Sequence, residues 1–331
     1  MASIHRILVA VRALDVNSLP AVLKAGQIAR ACRAQLEIYH CLDAPLFADL
    51  PTLGAHSLRD AERNLHQHAL QQLQALADRA RLHDVKVTVR AEWDFPAFEA
   101  IVRRSVRIKA DLVIASVHAG SHRLPSLMRL TDWELVRLSP IPLLLIKDPR
   151  PYRRPAVLAA LDPTHAFAKP LKLDEQILQL ASAVGRKLQG SLHAVHAYTR
   201  VPGDSFPAEA ITPSIVNKIE RDAQRAARAA FDRVLKSSRI TPAHRYLIAR
   251  DPVNAIAEAA RRSHSAIVVM GAISRSGIKR WLIGNTAERI LDDLRCDVLI
   301  VKASTFRNRV PRASRGVHLL TAPMPGAFGY Y

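Results

Sequence analysis

Residues 266–290 read AIVVMGAISRSGIKRWLIGNTAERI, and the fold turns on how this stretch is understood. Ile267, Val268, Val269 and Met270 form an apolar run of the length and type of a strand buried on both faces. Gly271 ends the run. A basic loop with Arg275, Gly277, Lys279 and Arg280 follows, and the segment closes on Gly284, Asn285 and Thr286. Asn285 or Thr286 can cap a helix that begins near Ala287. A strand, a flexible basic loop and a capped helix start gather backbone N–H groups around an anion, the physical basis of a phosphate cradle. The same pattern also serves as a plain strand-to-helix connection. The remainder of the chain has to choose between them.

On either side of this stretch the same kind of unit recurs. The first half reads as strand 7–11, helix 19–32, strand 36–40, a long loop with Pro45 and Pro51, and helix 58–82 with Leu65, Leu70, Leu73 and Leu76 at helical spacing. It continues as strand 85–91, helix 96–108, strand 112–115, helix 132–138 and strand 143–146. Residues 148–155, DPRPYRRP, read as a linker. The order then repeats: strand 157–161, helix 173–188, strand 192–197, a proline-bearing loop, helix 214–236, strand 244–249, helix 252–262, strand 267–270, helix 286–294 and strand 298–301. Alternating strands and helices with apolar strands predict parallel sheets covered by helices. The halves also align without a gap at a constant offset of 155 residues, from Ala100 against Ala255 to Lys147 against Lys302. That register reads as a tandem duplication.

Bulk properties narrow the class. The 331 residues suffice for two domains with separate cores. No apolar run approaches the ~20 residues of a membrane span. MASIHRILVAVR lacks the apolar region and cleavage site of a signal peptide. Cys32, Cys41 and Cys296 form no CxxC pair, so a reduced, cytoplasmic protein is expected. The net charge of +19 favours polyanions in general. The arginines are scattered rather than grouped on one reading helix, which argues against sequence-specific nucleic-acid binding. The tail from Ser304 has four arginines and no acidic residue and is expected to be disordered or loosely draped.

GxxSRxGxxxxxxGNTAE after a strand, followed by RCDVLIVK, resembles the universal stress protein family. WDFPAFEAI and TDWELVR in the first half and GNTAERILDDLRCDVLIVK in the second are similar to its tandem-domain branch. The resemblance covers nearly everything from Ile4 to Lys302. It implies two tandem Rossmann-like (adenine nucleotide alpha hydrolase-like) α/β domains. Each is a five-stranded parallel sheet of order 3-2-1-4-5 with helices on both faces. The implied boundaries are 1–148, a linker 149–155, 156–303, and a basic tail 304–331. The two domains are expected to pair through their last strands as an intramolecular pseudo-dimer.

In ATP-binding members of that family an aspartate ends the first strand, and Gly-x2-Gly-x9-Gly-Ser/Thr follows the fourth. Carried over by position, this points to Asp162, Met270, Gly271, Ser274, Arg275, Gly284, Asn285 and Thr286 as the nucleotide site, with ATP and Mg²⁺ as the implied ligands. Ser274 stands where the pattern has glycine, and Asn285 where it has Ser/Thr; Thr286 could supply the displaced hydroxyl. Asp162 before Pro163 also suits a simple turn. In the first half Arg12 replaces the strand-one aspartate, Ser116 stands for Gly271, Ala119 for Ser274 and Arg129 for Gly284. That half reads as degenerate, or as a site where Arg12, Arg123 and Arg129 meet a different anion.

Other chemistry is excluded on geometry. His193 and His196, three apart on a strand, point to opposite faces. His66 and His68, two apart on a helix, do not share one. No HExxH, GxSxG or Walker lysine occurs, so no metal site or covalent catalysis is expected. The reading is a stress-response protein acting by binding rather than turnover, at most a slow ATPase. The alternatives are a ligand-free interaction scaffold, a binder of polyanions, and a binder of a hydrophobic, lipid-like molecule under loops 40–57 and 198–214, where Phe47, Leu50, Leu53, Phe206 and Ile211 lie. Protein partners and a homodimer beyond the internal pair stay open.

Overall fold

In the computed structural model, residues 3–44, 46–47, 55–117, 129–164, 172–198, 213–272, 291 and 293–320 are described. The first half comprises β1 (Arg6–Ala10), α1 (Leu19–Cys32), β2 (Gln35–Leu42), a short β3 (Leu46–Phe47), α2 (Ala55–Arg79), β4 (Val87–Trp93), α3 (Ala97–Arg107), β5 (Leu112–Ser116), α4 (Arg129–Leu138) and β6 (Leu143–Ile146). The second comprises β7 (Ala156–Leu161), α5 (Leu173–Lys187), β8 (Leu192–Tyr198), α6 (Pro213–Leu235), β9 (Arg245–Ala249), α7 (Pro252–Arg262), β10 (Ser265–Gly271) and β11 (Asp297–Val301), with β12 (Leu319–Leu320) in the tail. α3 and α7 begin and end at the same repeat positions, as the constant offset requires.

All ten long strands form one sheet in the order β4-β2-β1-β5-β6-β11-β10-β7-β8-β9. Each half has the expected 3-2-1-4-5 order with parallel neighbours. The halves meet where β6 and β11 run antiparallel: Leu143 faces Ile300, Leu144 faces Leu299 and Leu145 faces Val298. Leu144 and Leu299 are repeat equivalents, so the pseudo-two-fold passes between them. Every residue of β6 and β11 is buried, as strands covered on both faces should be. Two apolar layers flank the sheet and each draws on both halves. One lies under α1, α2, α5 and α6 and the other under α3, α4 and α7.

The junction carries a buried ionic centre. Asp297 is fully buried. Its Oδ2 accepts from Lys24 Nζ at 2.5 Å and from the Tyr152 hydroxyl at 2.6 Å. Its Oδ1 accepts from the backbone N–H groups of Lys147 at 2.8 Å and Asp148 at 3.0 Å. Lys24 Nζ also donates to the Asp148 carbonyl. Segment 149–155, read from sequence as a linker, is therefore pinned: Tyr152 is buried and also exchanges two hydrogen bonds with Gln27.

Two equivalent lysines reach across the junction in opposite directions. Lys147 Nζ donates to the Leu291 and Leu294 carbonyls of the second half. Lys302 Nζ donates to the Arg137 carbonyl at the end of α4. Each supplies a cation to carbonyls near the last helical stretch of the other half.

The tail departs from expectation over residues 310–320. Val310 is buried in the α3 layer. The Arg315 N–H donates to Asp94 at 2.9 Å and its guanidinium to Glu99 at 3.0 Å. His318 stacks on Phe95, and β12 pairs in parallel with β3. Basic composition suggests a disordered or loosely draped tail, but an acidic pair on the first half, Asp94 and Glu99, receives one of its arginines, Arg315. Asp94 and Glu99 already hold the buried Arg103.

Two outcomes follow from the junction. Asp297→Ala leaves the Lys24 ammonium buried without its counter-charge, with only the Asp148 carbonyl to accept from it, and the Tyr152 hydroxyl without its acceptor, and should cost about 3–5 kcal/mol in chemical denaturation. Burial, then the Arg137 charge, pushes Lys302 down to about 8. Below that pH its ammonium opposes folding, and the cost is relieved as pH rises toward the unfolded value of about 10.4. Lys302→Met should raise the denaturation midpoint at pH 7.5, with the gain shrinking at pH 9.5.

Candidate functional site

The carboxyl ends of β7 and β10 lie side by side, since Ala159 pairs with Val269. This is the switch point of the second half, where a first strand has neighbours leading in opposite directions and ligands of open α/β sheets bind. Asp162 leaves β7 there. Its N–H donates to Asp174 at 3.1 Å, and its Oδ1 accepts from the Thr164 hydroxyl at 3.1 Å. That is the turn chemistry Asp-Pro-Thr suggests. Its Oδ2 is buried and has no hydrogen-bond partner among the described residues. A buried carboxylate oxygen left bare is costly, which marks this atom as the feature of the site that calls for a donor.

Met270 is buried at the end of β10, and Gly271 follows beside Val301 of β11. A Cβ on Gly271 would stand 2.8 Å from Leu173 Cδ2 and 3.4 Å from Ile177 Cδ1. The absent side chain thus lets α5 close on the sheet, a role the sequence reading did not assign. Ser274, Arg275, Gly284, Asn285 and Thr286 lie outside the described residues, as do Gly277, Lys279 and Arg280 of the basic loop. The structure therefore brings together Asp162, Met270 and Gly271.

At the equivalent place in the first half lies a cavity of about 640 Å³. It is bounded by the ends of β1 and β5, the starts of α3 and α4, and the segment after β6. Strand registers confirm that Arg12 occupies the position of Asp162, because Ile7 pairs with Leu112 as Val157 pairs with Ile267. Ser116 lines the cavity; Ala119 and Arg123 lie outside the described residues, and Arg129 begins α4. Sequence reasoning offered an anion site here through Arg12, Arg123 and Arg129 but not the apolar lining of the cavity, because it followed the glycine loop, whereas the sheet topology alone generates the crevice.

Elsewhere, His193 sits at the opposite end of the strands from both sites. Burial, then His244, pushes it down to about 4. Ser191 Oγ lies 2.9 Å from its Nε2, and the His244 ring packs 4.0 Å away. His196 instead meets the Leu161 carbonyl and Phe231. Among the described residues no three His, Cys, Asp or Glu side chains gather as metal ligands, and no helix is long and apolar enough to cross a membrane.

The family model described as Universal stress protein family matches residues 3–147 and 170–302. The chain belongs to the universal stress protein family. Universal stress protein E of Escherichia coli (strain K12) is 30% identical over 236 residues, covering 68% of this chain and 71% of that protein. Universal stress protein E of Salmonella typhi is 29% identical over 233 residues, with the same shares. A solved universal stress protein from Archaeoglobus fulgidus covers 89% of this chain and 98% of its own, with a TM-score of 0.58 at 15% identity. A functionally unknown protein from Pseudomonas aeruginosa PAO1 covers 92% and 94%, with a TM-score of 0.67 at 20% identity. At these identities the two solved structures speak for the fold, which in this universal stress protein is two units joined in one sheet.

The packing role of Gly271 is open to test. Gly271→Ala should destabilise the protein by roughly 1–3 kcal/mol through overpacking against Leu173. A denaturation midpoint equal to wild type would show that α5 does not need the glycine.

Proposed function

We propose that the second half binds an adenine nucleotide at the ends of β7 and β10, and that this universal stress protein works by ligand binding rather than turnover. The observation that carries the reading is the buried Oδ2 of Asp162 at the switch point, which has no hydrogen-bond partner among the described residues. A ribose hydroxyl or adenine amino group brings the donor that this oxygen lacks. The backbone at Met270 and Gly271 stands beside it. Ser274, Arg275, Gly284, Asn285 and Thr286 are the proposed phosphate-holding residues, by resemblance to the family's loop. ATP with Mg²⁺ is the proposed ligand. The metal would neutralise phosphate charge when bound, and hydrolysis, if present, would be slow.

The two units, 1–148 and 156–303, are proposed to act as an intramolecular pair in the cytoplasm, with the ligand state of the second read by a protein partner. A ligand-free scaffold is the rival. Calorimetric titration of the apo protein with MgATP should show saturable binding. Asp162→Ala should weaken it about tenfold, the loss of one buried hydrogen bond to a charged group. Gly284→Arg, which copies Arg129, should abolish it. Affinity unchanged in both variants, or no binding at millimolar ATP, overturns the assignment.

A further inference from the structure

The tail segment 310–320 lies as a strap on the same chain segments that wall the crevice of the first half. At the start of α3, Ala97 and Ile101 line the cavity, while Asp94, Phe95 and Glu99 hold Arg315 and His318. After β2, Cys41 and Asp43 line the cavity, and the chain then runs into β3, which pairs with β12. The Leu46 N–H donates to the His318 carbonyl at 2.8 Å. Cys41 Sγ donates to the Asp94 carbonyl at 2.9 Å, joining the two walls directly beneath the strap.

The seat does not depend on its occupant. Asp94 accepts from Arg103 Nε and Nη2 at 2.8 Å and from the Phe95 N–H at 2.8 Å, and Glu99 accepts from Arg103 Nη1 at 2.9 Å. Both carboxylates keep these donors when Arg315 leaves. The Pro311 carbonyl lies 3.4 Å from Arg103 Nη1 and adds little. Lifting the strap therefore strands no buried charge, the penalty that holds most buried ion pairs shut. The strap also buries little of itself. Val310 is buried, but residues 311–315 are exposed, and Leu319 is 48% exposed. A two-residue ladder, one ring stack and a half-exposed ion pair place it at the low end of local stability.

We propose that the strap is a releasable clasp on the crevice of the first half. Seated, it holds the chain after β2 against the start of α3 and closes that side of the crevice. Released, it leaves this wall free to move and admits small molecules. The catch is Arg315 on Asp94 and Glu99, a contact that salt weakens. At the same offset the second half has Ala249, Arg250 and Asn254 in place of Asp94, Phe95 and Glu99, so the seat belongs to the first half. The two crevices thus come under different control.

Cys41 reports the state of the clasp. Burial, then Asp43 and Asp94, pushes its thiol far up, so a closed crevice leaves it unreactive. The full-length protein is treated with methyl methanethiosulfonate, and mass spectrometry follows each cysteine, with Cys32 on α1 and Cys296 beside Asp297 as internal controls. Arg315→Glu sets a carboxylate against Asp94 and Glu99 and should speed Cys41 modification at least about tenfold while the controls keep their rates. His318→Ala should act in the same direction. About 1 M salt should speed Cys41 in the wild-type protein and change little in Arg315→Glu. Hydrogen exchange at the Leu46 amide should rise in both variants, since its acceptor is on the strap. Unchanged Cys41 rates, a rise shared by all three cysteines, or a Leu46 amide still protected in Arg315→Glu overturns the proposal.

Discussion

Asp297 is the constraint around which the two halves are arranged. A carboxylate withdrawn wholly from water is tolerable only when its lone pairs are met, and here four donors from three separate segments meet them. α1 supplies Lys24, the exit of β6 supplies two backbone N–H groups, and the joining segment supplies Tyr152. Sliding β11 against β6 by one residue would break all four and turn the buried faces of both strands around. The ionic centre therefore fixes the register on which the ten-stranded sheet depends.

That centre exists once, although the architecture is built twice. The position equivalent to Asp297 in the first half is Pro142. By contrast Lys147 and Lys302 keep the same reciprocal task on both sides. A pair of separate chains related by exact symmetry would have to use every contact in duplicate. Joining the repeats in one chain removes that requirement and leaves each half open to its own substitutions. Asp162 in one crevice and Arg12 at its place in the other are such divergences.

Much of this was legible in sequence because it rests on local periodicity. Apolar runs such as Ile267–Met270 mark strands, and the unbroken offset from Ala100 to Lys147 places α3 and α7 at matching positions. What could not be read depends on contacts between distant segments. Lys24 lies 273 residues from Asp297, and no local pattern links them. Glycine permits either a ligand or a helix to approach, so the sequence around Gly271 suggests the ligand, and the approach of α5 shows only in the position of Leu173. The tail was judged by its own composition, whereas its docking is decided by Asp94 and Glu99 on another element.

That docking has a consequence for the order in which the chain is completed. Asp94 is met by Arg315, 221 residues later. At ribosomal speeds of 5–20 residues per second, that separation corresponds to roughly 10–40 s of synthesis. Throughout this interval the nascent first half carries its acidic cluster and the edge beside β3 uncovered. The strap follows the second half in the chain, so the first half is completed only after the second has been made.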